Sequence, residues 1–339
     1  MKRILYIGQF SEGTTSKMRA EALKKITGPV DFQIIDTHIP FYKCHPLWRS
    51  LAFRYKTGKV LQLTNRYILN NISGYYDVIW VDKAVFITKK TTRILRLNCE
   101  KLIHYTPDPA FRINSSRHFY QSLPLYDYVI TTKSFEKKDY INHIAEDKLI
   151  YIPQGYNREL HYPRHSFEAK KEQVLFIGLH ENSREKVIDN LLSHDIPVAL
   201  AGMNWERYVA KRKDKLLTYL GKGVFGEKYA STVSASRFGL GLVSKRFPEL
   251  HTTRTFEIPA CGTALITERN EETIKYFDEE DVIFYSNAKE MVERIKFFMD
   301  RPDDLKRTTN NGYLNVIDGG LDYKEQLNFI CKKAKITSG

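Results

Sequence analysis

The sequence predicts an α/β protein built from two doubly wound, Rossmann-like halves. Its 339 residues, of which 42% are hydrophobic and 13% aromatic, are enough for two domains that each bury a core. Short runs rich in Val, Ile and Tyr alternate with segments of helical length, which is typical of parallel sheets covered on both faces. A connection with two prolines and a glycine, PQGYNRELHYP at 153–163, separates two such series. We therefore expect one domain over 1–155 and a second over 156–320, with a helix near 321–335 packing back on the first.

The first series begins with a strand, KRILYIG at 2–8, and a helix over 16–26 for which Ser16 is a plausible N-cap. Its hydrophobic runs lack strict polar alternation, which indicates strands buried on both faces. Further strands are predicted at 32–36, 76–82, 101–106, 126–132 and 149–153.

The second series repeats this alternation. Strands are predicted at 173–178, 197–202, 238–244, 263–267 and 281–286. Helices are predicted over 181–194 and near 226–236, 252–261, 288–300 and 303–317. Ligands of doubly wound sheets bind at the carboxyl ends of the strands, so a cleft between the two halves is the expected active site.

Several classes of protein are disfavoured by missing motifs. The four cysteines form no C-x-x-C pair, which argues against a zinc knuckle or a disulfide framework and favours a reducing compartment. There is no His pair at helical metal-ligand spacing and no D-x-D at a strand end, so we expect neither a metal nor another cofactor. A G-x-S-x-G elbow is also missing, which argues against an α/β-hydrolase. The N-terminal segment MKRILYIGQF has an apolar run, broken by Gly8 and Gln9, that is too short for a secretory signal. No segment approaches 18 consecutive apolar residues, so a cytoplasmic protein is expected.

The formal charge of +13 is concentrated in the first half. Residues 1–150 carry 24 Lys and Arg against 13 Asp and Glu, whereas residues 151–339 carry 29 against 27. No acid lies between Asp36 and Asp77, a stretch in which cations and aromatic residues alternate: Lys43, Arg49, Arg54, Lys56, Lys59 and Arg66 with Phe41, Tyr42, Trp48, Phe53, Tyr55 and Tyr67. Three interpretations remain open, namely nucleic-acid contact, a face for anionic lipid or a lipid-linked acceptor, and an ordinary solvated surface.

The most informative segment of the second half is SKRFPELHTTRTFEIPACGTALITE at 244–268. It has Glu249 and Glu257 eight positions apart, with Thr252 and Thr253 at an apparent helix start. Free N–H groups at a helix start can bind phosphate, and a carboxylate further along can accept both hydroxyls of a ribose. The alternative is that one threonine simply caps the helix while Glu257 faces solvent.

This segment resembles the E-x7-E region of GT-B glycosyltransferases of the family-4 type. The sequence RTFEIPACG at 254–262 resembles that of the CgeB-like, or spore-maturation-protein, branch. The similarity extends through 266–312, and residues 173–330 are covered well, whereas the N-terminal half matches only as a Rossmann-like pattern. The resemblance implies a GT-B fold in which the first domain binds the acceptor and the second binds a nucleotide-sugar donor.

Specific roles follow from the resemblance. It implies that Glu257 binds the ribose of the donor and that Glu249 lies near the donor sugar hydroxyls. Backbone amides around Thr252, Thr253 and Arg254 would hold the diphosphate. Because Pro259 removes a helical hydrogen bond, we expect this helix to be short or kinked.

A basic residue is expected against the departing diphosphate in GLHENSREK at 178–186, after the first strand of the second domain. Arg184 and Lys186 are the candidates, and fixed cations there would stabilise the developing charge. Both could instead be exposed on the first turns of a helix. Lys245 and Arg246, after a predicted strand end, are secondary candidates.

Two loops of the first half supply further candidates. GQFSEGTT at 8–15 is neither a G-x-G-x-x-G nor a Walker A motif, yet GT-B enzymes bring backbone close to the donor phosphate and the acceptor here, which makes Gly8 and Gly13 candidates. HYTPDP at 104–109 ends another strand and could project His104 or Asp108 into the cleft. Asp108 between two prolines equally suits a turn.

The leading hypothesis is a glycosyltransferase of the hexosyltransferase type, retaining and metal-independent, that uses a nucleotide-sugar donor and a carbohydrate or lipid-linked acceptor. The basic first half would then be the acceptor side, with peripheral contact to the inner face of an anionic membrane. Three alternatives stay open: a nucleic-acid-binding protein that uses residues 37–76, a non-catalytic nucleotide-sugar-binding GT-B protein, and a sugar-nucleotide epimerase.

Overall fold

A computed structural model describes residues 1–112 and 114–336 of the chain. It divides into two compact units, of which the first comprises Met1–Pro153 with the segment from Tyr323, and the second comprises Gln154–Asp322. The expected boundaries at 155 and 320 lie two residues from the observed ones. The chain passes from the first unit to the second after Pro153 and returns to the first unit at Tyr323. The last helix, which begins at Tyr323, therefore belongs to the first unit.

The first unit contains a parallel six-stranded sheet with the order β2-β1-β3-β4-β5-β6. Its strands are β1 Arg3–Gly8, β2 Asp31–Asp36, β3 Tyr76–Asp82, β4 Cys99–Thr106, β5 Tyr128–Thr131 and β6 Leu149–Tyr151. Its helices are α1 Thr15–Thr27, α2 His38–Tyr42, α3 Pro46–Tyr55, α4 Lys59–Asn70, α5 Lys89–Leu97, α6 Arg117–Ser122, α7 Lys137–Ile141 and, at the end of the chain, α15 Tyr323–Lys333.

Both faces of this sheet are buried, which explains its continuous hydrophobic runs. Alternate residues of a strand point to opposite faces. In β3, Val78 and Trp80 pack into a cluster with α1 and α15, whereas Ile79 and Val81 pack into the cluster on the other face.

The second unit contains another parallel six-stranded sheet, with the order β12-β11-β10-β7-β8-β9. Its strands are β7 Lys171–Ile177, β8 Val198–Ala201, β9 Leu217–Tyr219, β10 Ser236–Leu240, β11 Ala264–Glu268 and β12 Ile283–Tyr285. Its helices are α8 Asn182–Leu192, α9 Glu206–Arg212, α10 Gly226–Ser234, α11 Arg254–Ala260, α12 Thr273–Tyr276, α13 Ala288–Met299 and α14 Pro302–Asp318.

The structure corrects several element predictions. β10 ends at Leu240, so the strand expected over 238–244 starts and ends too late, and residues 241–244 form the loop that follows it. β9 and α9 were not predicted from the sequence, and neither were the three helices α2, α3 and α4. As expected from Pro259, α11 is short, with seven residues.

None of the helices within 1–112 and 114–336 combines the length and the hydrophobicity that crossing a bilayer requires.

Candidate active site

The candidate site of the second unit lies where β7 and β10, which are neighbours in the sheet, reach their carboxyl ends. The loop after β7 leads into α8, and the loop after β10 leads into α11. Because parallel strands end at the same edge, both loops and both helix starts meet there. The family-like segment 244–268 and the segment 178–186 are therefore brought together by the sheet order.

Arg184 is the third residue of α8, and its side chain is buried with 6% of its surface exposed. Its Nη1 donates a hydrogen bond to the carbonyl oxygen of Leu179 at 2.9 Å and lies 3.4 Å from Glu181 Oε1. The other oxygen of Glu181 accepts a hydrogen bond from the hydroxyl of Ser244 at 3.0 Å. Glu181 therefore connects the Arg184 guanidinium to the loop after β10.

Arg254 is the first residue of α11 and brings a second guanidinium to the same place. Its Nη2 donates to the carbonyl oxygen of Leu242 at 3.2 Å. The Cζ atoms of Arg184 and Arg254 lie 5.6 and 5.9 Å from the ring centroid of Phe176, near the end of β7. Burial, followed by the charge of Arg254, lowers the pKa of Arg184 to about 10, so Arg184 stays protonated at neutral pH.

Three buried polar atoms at this edge have no hydrogen-bond partner among the described residues: Arg184 Nε, Arg254 Nε and Thr252 Oγ1. Most buried polar groups in proteins are hydrogen-bonded, and each exception calls for an explanation. Two cations with unused, buried donor atoms, one on the buried Arg184 and one on the half-buried Arg254, form a site in which an anion would be stabilised.

The start of α11 adds backbone donors beside these side chains. The amide of Thr252 donates to Thr255 Oγ1 at 3.1 Å, and the Thr253 carbonyl accepts from the amides of Phe256 and Glu257. The amides of Thr253 and Arg254 make no hydrogen bond among the described residues. The structure therefore leaves two of the three amides expected to hold a diphosphate unpaired and uses the third, that of Thr252, in the turn.

Glu257 lies one helical turn further on and is buried, with 7% exposed. Its Oε2 accepts a hydrogen bond from Tyr229 Oη at 2.7 Å, and its Oε1 lies 4.0 Å from His161 Nε2. The amide of Asn157 donates to His161 Nδ1, which leaves the ring proton on Nε2, facing Glu257. Burial lowers the pKa of His161, so this histidine is neutral at pH 7. Glu257 is thus a positioned acceptor and does not face solvent, contrary to the alternative open at the sequence level.

Glu249 lies in the loop before α11, where its amide donates to the Phe247 carbonyl at 2.8 Å. Its charge raises the pKa of Arg184, and that of Arg246 lowers it, so both side chains are near the guanidinium. The side chain of Lys186 is exposed on α8, two positions after Arg184, and residues two apart do not share a helix face. Lys245 is exposed and forms an ion pair with Glu268. The structure brings Glu249 and Arg246 to the site, whereas Lys186 stays on the surface.

The candidates of the first unit have different surroundings. A Cβ on Gly8 would lie 2.9 Å from Asp82 Cβ, so a side chain does not fit at the end of β1. Gly13 adopts φ +72°, which favours glycine, and precedes Thr14, the N-cap of α1. Glycine is therefore required at Gly8 by the neighbouring side chain and favoured at Gly13 by the backbone conformation, independently of any ligand.

His104 does not project into a pocket, which corrects the expectation for HYTPDP. It is 1% exposed, its Nδ1 lies 3.2 Å from the Val81 carbonyl oxygen, and its ring packs against Phe119 and Tyr126. Burial lowers its pKa to about 3, so it is a neutral core residue. The physical reason is the alternation of β4, which points His104 to the helix layer.

Asp108 lines a pocket of about 190 Å³ in the first unit. Lys83 Nζ lies 2.9 Å from Asp108 Oδ2. Burial raises the pKa of Asp108, but the positive charges of Lys83, Lys133 and Arg19 outweigh it and hold the pKa below its usual value. The pocket walls include aromatic and polar side chains: Phe41, Phe53 and Phe86 with Gln9, His38 and Asn114.

Several residues of these sites were missed at the sequence level. Lys83 directly follows β3 and has φ +58°, and its position after a buried strand was the available signal. Glu181 is the N-cap of α8. Tyr229 and His161 carry no sequence signal, because only the tertiary structure brings them to Glu257.

Residues 183–332, which make up 44% of the chain, match the sequence profile of a family described as glycosyl transferase-like. A search of curated protein sequences gave no match.

Solved structures match nearly the whole chain. A crystal structure of Anabaena HepE in complex with UDP and glucose has a TM-score of 0.67 at 12% identity and covers 98% of this chain and 100% of that one. A glycosyltransferase from Rickettsia africae has a TM-score of 0.63 at 13% identity, with 98% of each chain covered. A mutant form of S. aureus TarM has a TM-score of 0.58 at 11% identity and covers 81% of this chain and 59% of that one. A second HepE structure holds UDP-glucose.

The two parallel six-stranded sheets with flanking helices are thus the GT-B fold of glycosyltransferases, and residues 183–332 are similar in sequence to a glycosyl transferase-like family.

Proposed function

We propose that the protein transfers a sugar from a nucleoside diphosphate sugar to a hydroxyl group of an acceptor. The observation that carries the proposal is the pair of neighbouring guanidinium groups of the buried Arg184 and the half-buried Arg254, whose buried Nε atoms have no partner among the described residues. An unsatisfied buried donor costs about 1–3 kcal/mol. A diphosphate would supply both the acceptor oxygens and the negative charge. The family match over 183–332 and the GT-B fold support a sugar nucleotide as the source of that diphosphate.

The same two arginines fit the chemistry of transfer. When the sugar leaves, the bond between its anomeric carbon and the diphosphate oxygen breaks, and the electron pair moves to that oxygen. Fixed cations stabilise this developing charge more than they stabilise the bound ground state. A guanidinium can also make two parallel hydrogen bonds to phosphate, which a lysine cannot. This role suits Arg184 better than the exposed Lys186.

We infer that transfer retains the anomeric configuration and needs no metal, as the family-4 resemblance implies. In that reaction the acceptor oxygen bonds to the anomeric carbon on the face from which the diphosphate departs. The acceptor proton passes to the departing diphosphate oxygen, so no protein nucleophile is required. Arg184 and Arg254 would supply the positive charge that a divalent cation supplies in other transferases. The hexosyltransferase type and the CgeB-like branch remain predictions from the sequence.

The donor nucleotide is proposed to lie along α11. The amides of Thr253 and Arg254 would donate to the diphosphate, and Glu257 would accept the ribose hydroxyls through the oxygen that faces His161. Glu249 would contact the hydroxyls of the donor sugar. Because the HepE structures hold UDP and UDP-glucose, a uridine nucleotide is the first candidate for the donor.

The acceptor is proposed to be a carbohydrate or a lipid-linked saccharide bound by the first unit. Its pocket combines aromatic walls, on which sugar rings and apolar chains pack, with the ionised Asp108 held by Lys83. The proposed location is cytoplasmic, with peripheral contact to a membrane.

A thermal-shift screen against UDP-, GDP-, ADP- and CMP-sugars tests the donor. A ligand that binds the folded protein raises its Tm by mass action, so one nucleotide should stand out. Glu257→Ala should abolish both that shift and sugar transfer, whereas Glu293→Ala, an exposed carboxylate on α13, should change neither. No shift with any nucleotide, or full transfer by Glu257→Ala, would contradict the proposal.

Two further outcomes correspond to the alternatives. Donor binding without turnover against any acceptor would favour a non-catalytic nucleotide-sugar-binding protein. Salt-sensitive binding of nucleic acid that survives Glu257→Ala would favour the function based on residues 37–76.

A further inference from the structure

The exposed face of α3 is apolar, which is the reverse of the usual arrangement in a globular protein. Leu47, Trp48, Leu51 and Tyr55 are exposed by 68, 49, 45 and 59%. Leu47, Leu51 and Tyr55 share one helix face because they are spaced four apart, and Trp48 borders that face three positions before Leu51 and seven before Tyr55. The residue of α3 that packs into the protein core is Ala52. A helix normally turns its apolar face to the core, so this face calls for a different partner.

The neighbouring helix α2 continues this face. Tyr42 and Ile39 are exposed there by 56 and 40%. Arg49 connects the two helices, since its Cζ lies 5.6 Å from the Tyr42 ring centroid and 5.7 Å from that of Phe41. We call the exposed side chains of these two helices the α2–α3 surface: Ile39, Tyr42, Leu47, Trp48, Leu51 and Tyr55.

Cations surround the α2–α3 surface. Lys43 follows α2, Arg54 lies on α3 with its Cζ 5.5 Å from the Tyr55 ring centroid, and Lys59 begins α4, and all three are exposed. No Asp or Glu occurs between Asp36 and Asp77 to neutralise them. Lys56, which the sequence places in the same group, is buried, and its Nζ donates to the Phe53 carbonyl at 2.5 Å. The surface therefore combines apolar side chains with unneutralised positive charge.

We propose that the α2–α3 surface docks on a lipid bilayer that carries anionic phospholipid. Leucines would enter the boundary between headgroups and acyl chains, the rings of Trp48 and Tyr55 would lie at headgroup level, and the cations would contact lipid phosphates. The charge is complementary to an anionic leaflet. Binding of nucleic acid would not explain the two leucines at the centre of the face. A protein partner is disfavoured because protein interfaces are depleted of lysine. The inference goes beyond the proposed transfer activity and does not depend on it.

Flotation of the full chain with vesicles tests the proposal. We expect it to float with vesicles of phosphatidylcholine and phosphatidylglycerol, and to do so much less with phosphatidylcholine alone or at high salt. The triple variant Leu47→Ser/Trp48→Ser/Leu51→Ser should lower the partition about tenfold or more. The matched control Leu97→Ser/Phe329→Ser changes exposed apolar residues of α5 and α15 and should leave the partition unchanged.

A second pair of variants isolates the charge. Lys43→Gln/Arg54→Gln should lower the partition about fivefold for each cation removed. Lys89→Gln/Lys90→Gln, which removes two exposed cations from α5, should have a clearly smaller effect.

Tryptophan fluorescence gives a direct readout that does not depend on activity. Of the three tryptophans, Trp80 and Trp205 are fully buried, so a blue shift on adding anionic vesicles reports on Trp48. Trp48→Ser should abolish the shift. Because the substituted side chains are exposed, thermal unfolding of the variants should match that of the wild type.

Three results would overturn the proposal. The first is no partition into anionic vesicles at low salt, and the second is equal partition of the triple variant and the wild type. The third is salt-sensitive binding to duplex DNA that survives the serine substitutions in a protein that does not float with vesicles.

Discussion

Arg184 and Arg254 lie against the same aromatic ring, with their Cζ atoms 5.6 and 5.9 Å from the centroid of Phe176. Burial and the charge of Arg254 lower the pKa of Arg184 to about 10, which still leaves Arg184 charged at neutral pH. Two like charges held together in a partly desolvated place repel each other, and a bound anion relieves that repulsion. A group with two negative charges, such as the proposed diphosphate, would therefore be stabilised between these two arginines.

Substitution of either arginine should weaken nucleotide binding. Arg184→Gln and Arg254→Gln should each lower the affinity for UDP by about tenfold to a hundredfold, because hydrogen bonds to charged groups contribute about 1.5–3 kcal/mol. Isothermal titration calorimetry measures this. Arg307→Gln, an exposed arginine on α14, is the matched control and should bind UDP like the wild type. Unchanged affinity in both site variants would remove the diphosphate from this edge of the sheet.

Glu257 should recognise the ribose hydroxyls of the nucleotide. The wild type is expected to bind UDP at least about a hundredfold more tightly than 2′,3′-dideoxy-UDP, because each of the two lost hydroxyls removes a hydrogen bond to a carboxylate that contributes about 1.5–3 kcal/mol. Glu257→Ala should bind both nucleotides equally and weakly. Tyr229→Phe removes the hydrogen bond that Tyr229 donates at 2.7 Å and retains the carboxylate, so it should preserve the discrimination. A Glu257→Ala protein that still prefers the ribonucleotide would contradict the assignment.

The buried His104 should make stability depend on pH. Burial lowers its pKa to about 3 in the folded state, against about 6.5 in the unfolded chain, so the unfolded state binds the proton more readily. Its contribution to stability is complete above pH 6.5. It is lost as the pH falls toward 3, by about 1.4 kcal/mol per pH unit.

His104→Phe isolates this contribution from other titrating groups. Between pH 7.5 and pH 5 the wild type should lose about 2 kcal/mol more unfolding free energy than the variant, measured by urea denaturation. UDP binding should be the same in both proteins at pH 7.5. An equal dependence of unfolding free energy on pH in both proteins would show that His104 is not buried as described. A loss of UDP binding in the variant would indicate that His104 takes part in the nucleotide site.

Asp108 should affect transfer without affecting donor affinity. Its carboxyl is ionised at neutral pH beside Lys83, in a pocket of the first unit. We expect Asp108→Asn to lower kcat for transfer about tenfold to a thousandfold and to leave the Kd for UDP within about twofold, as befits a positioned catalytic or acceptor-binding group. Asp147→Asn, an exposed carboxyl near β6, serves as the control. Equal kcat for Asp108→Asn and the wild type would limit Asp108 to a turn.

The prediction of strands from the sequence was accurate where burial on both faces makes the signal strong. KRILYIG was predicted at 2–8 and forms Arg3–Gly8, and YDVIWVD at 76–82 forms Tyr76–Asp82. The three-residue β9 was missed because its pattern is too short. α3 was not predicted, although Leu47, Leu51 and Tyr55 follow helical spacing; that spacing does not reveal that this apolar face points outward.

Residue patterns and composition were enough to predict that the chain forms two doubly wound halves, that the first half carries most of the net positive charge, and that the segment 249–257 carries the family-like acids. These properties depend on local pattern and composition. Which of the candidate residues come together could be seen only in the folded chain. Arg184 and Arg254 are seventy positions apart in the chain, and they share Phe176 because β7 and β10 are neighbours in the sheet. The tertiary structure also decided that His104 is neutral and Asp108 charged, since a pKa depends on burial and on neighbouring charges that the order of residues does not reveal.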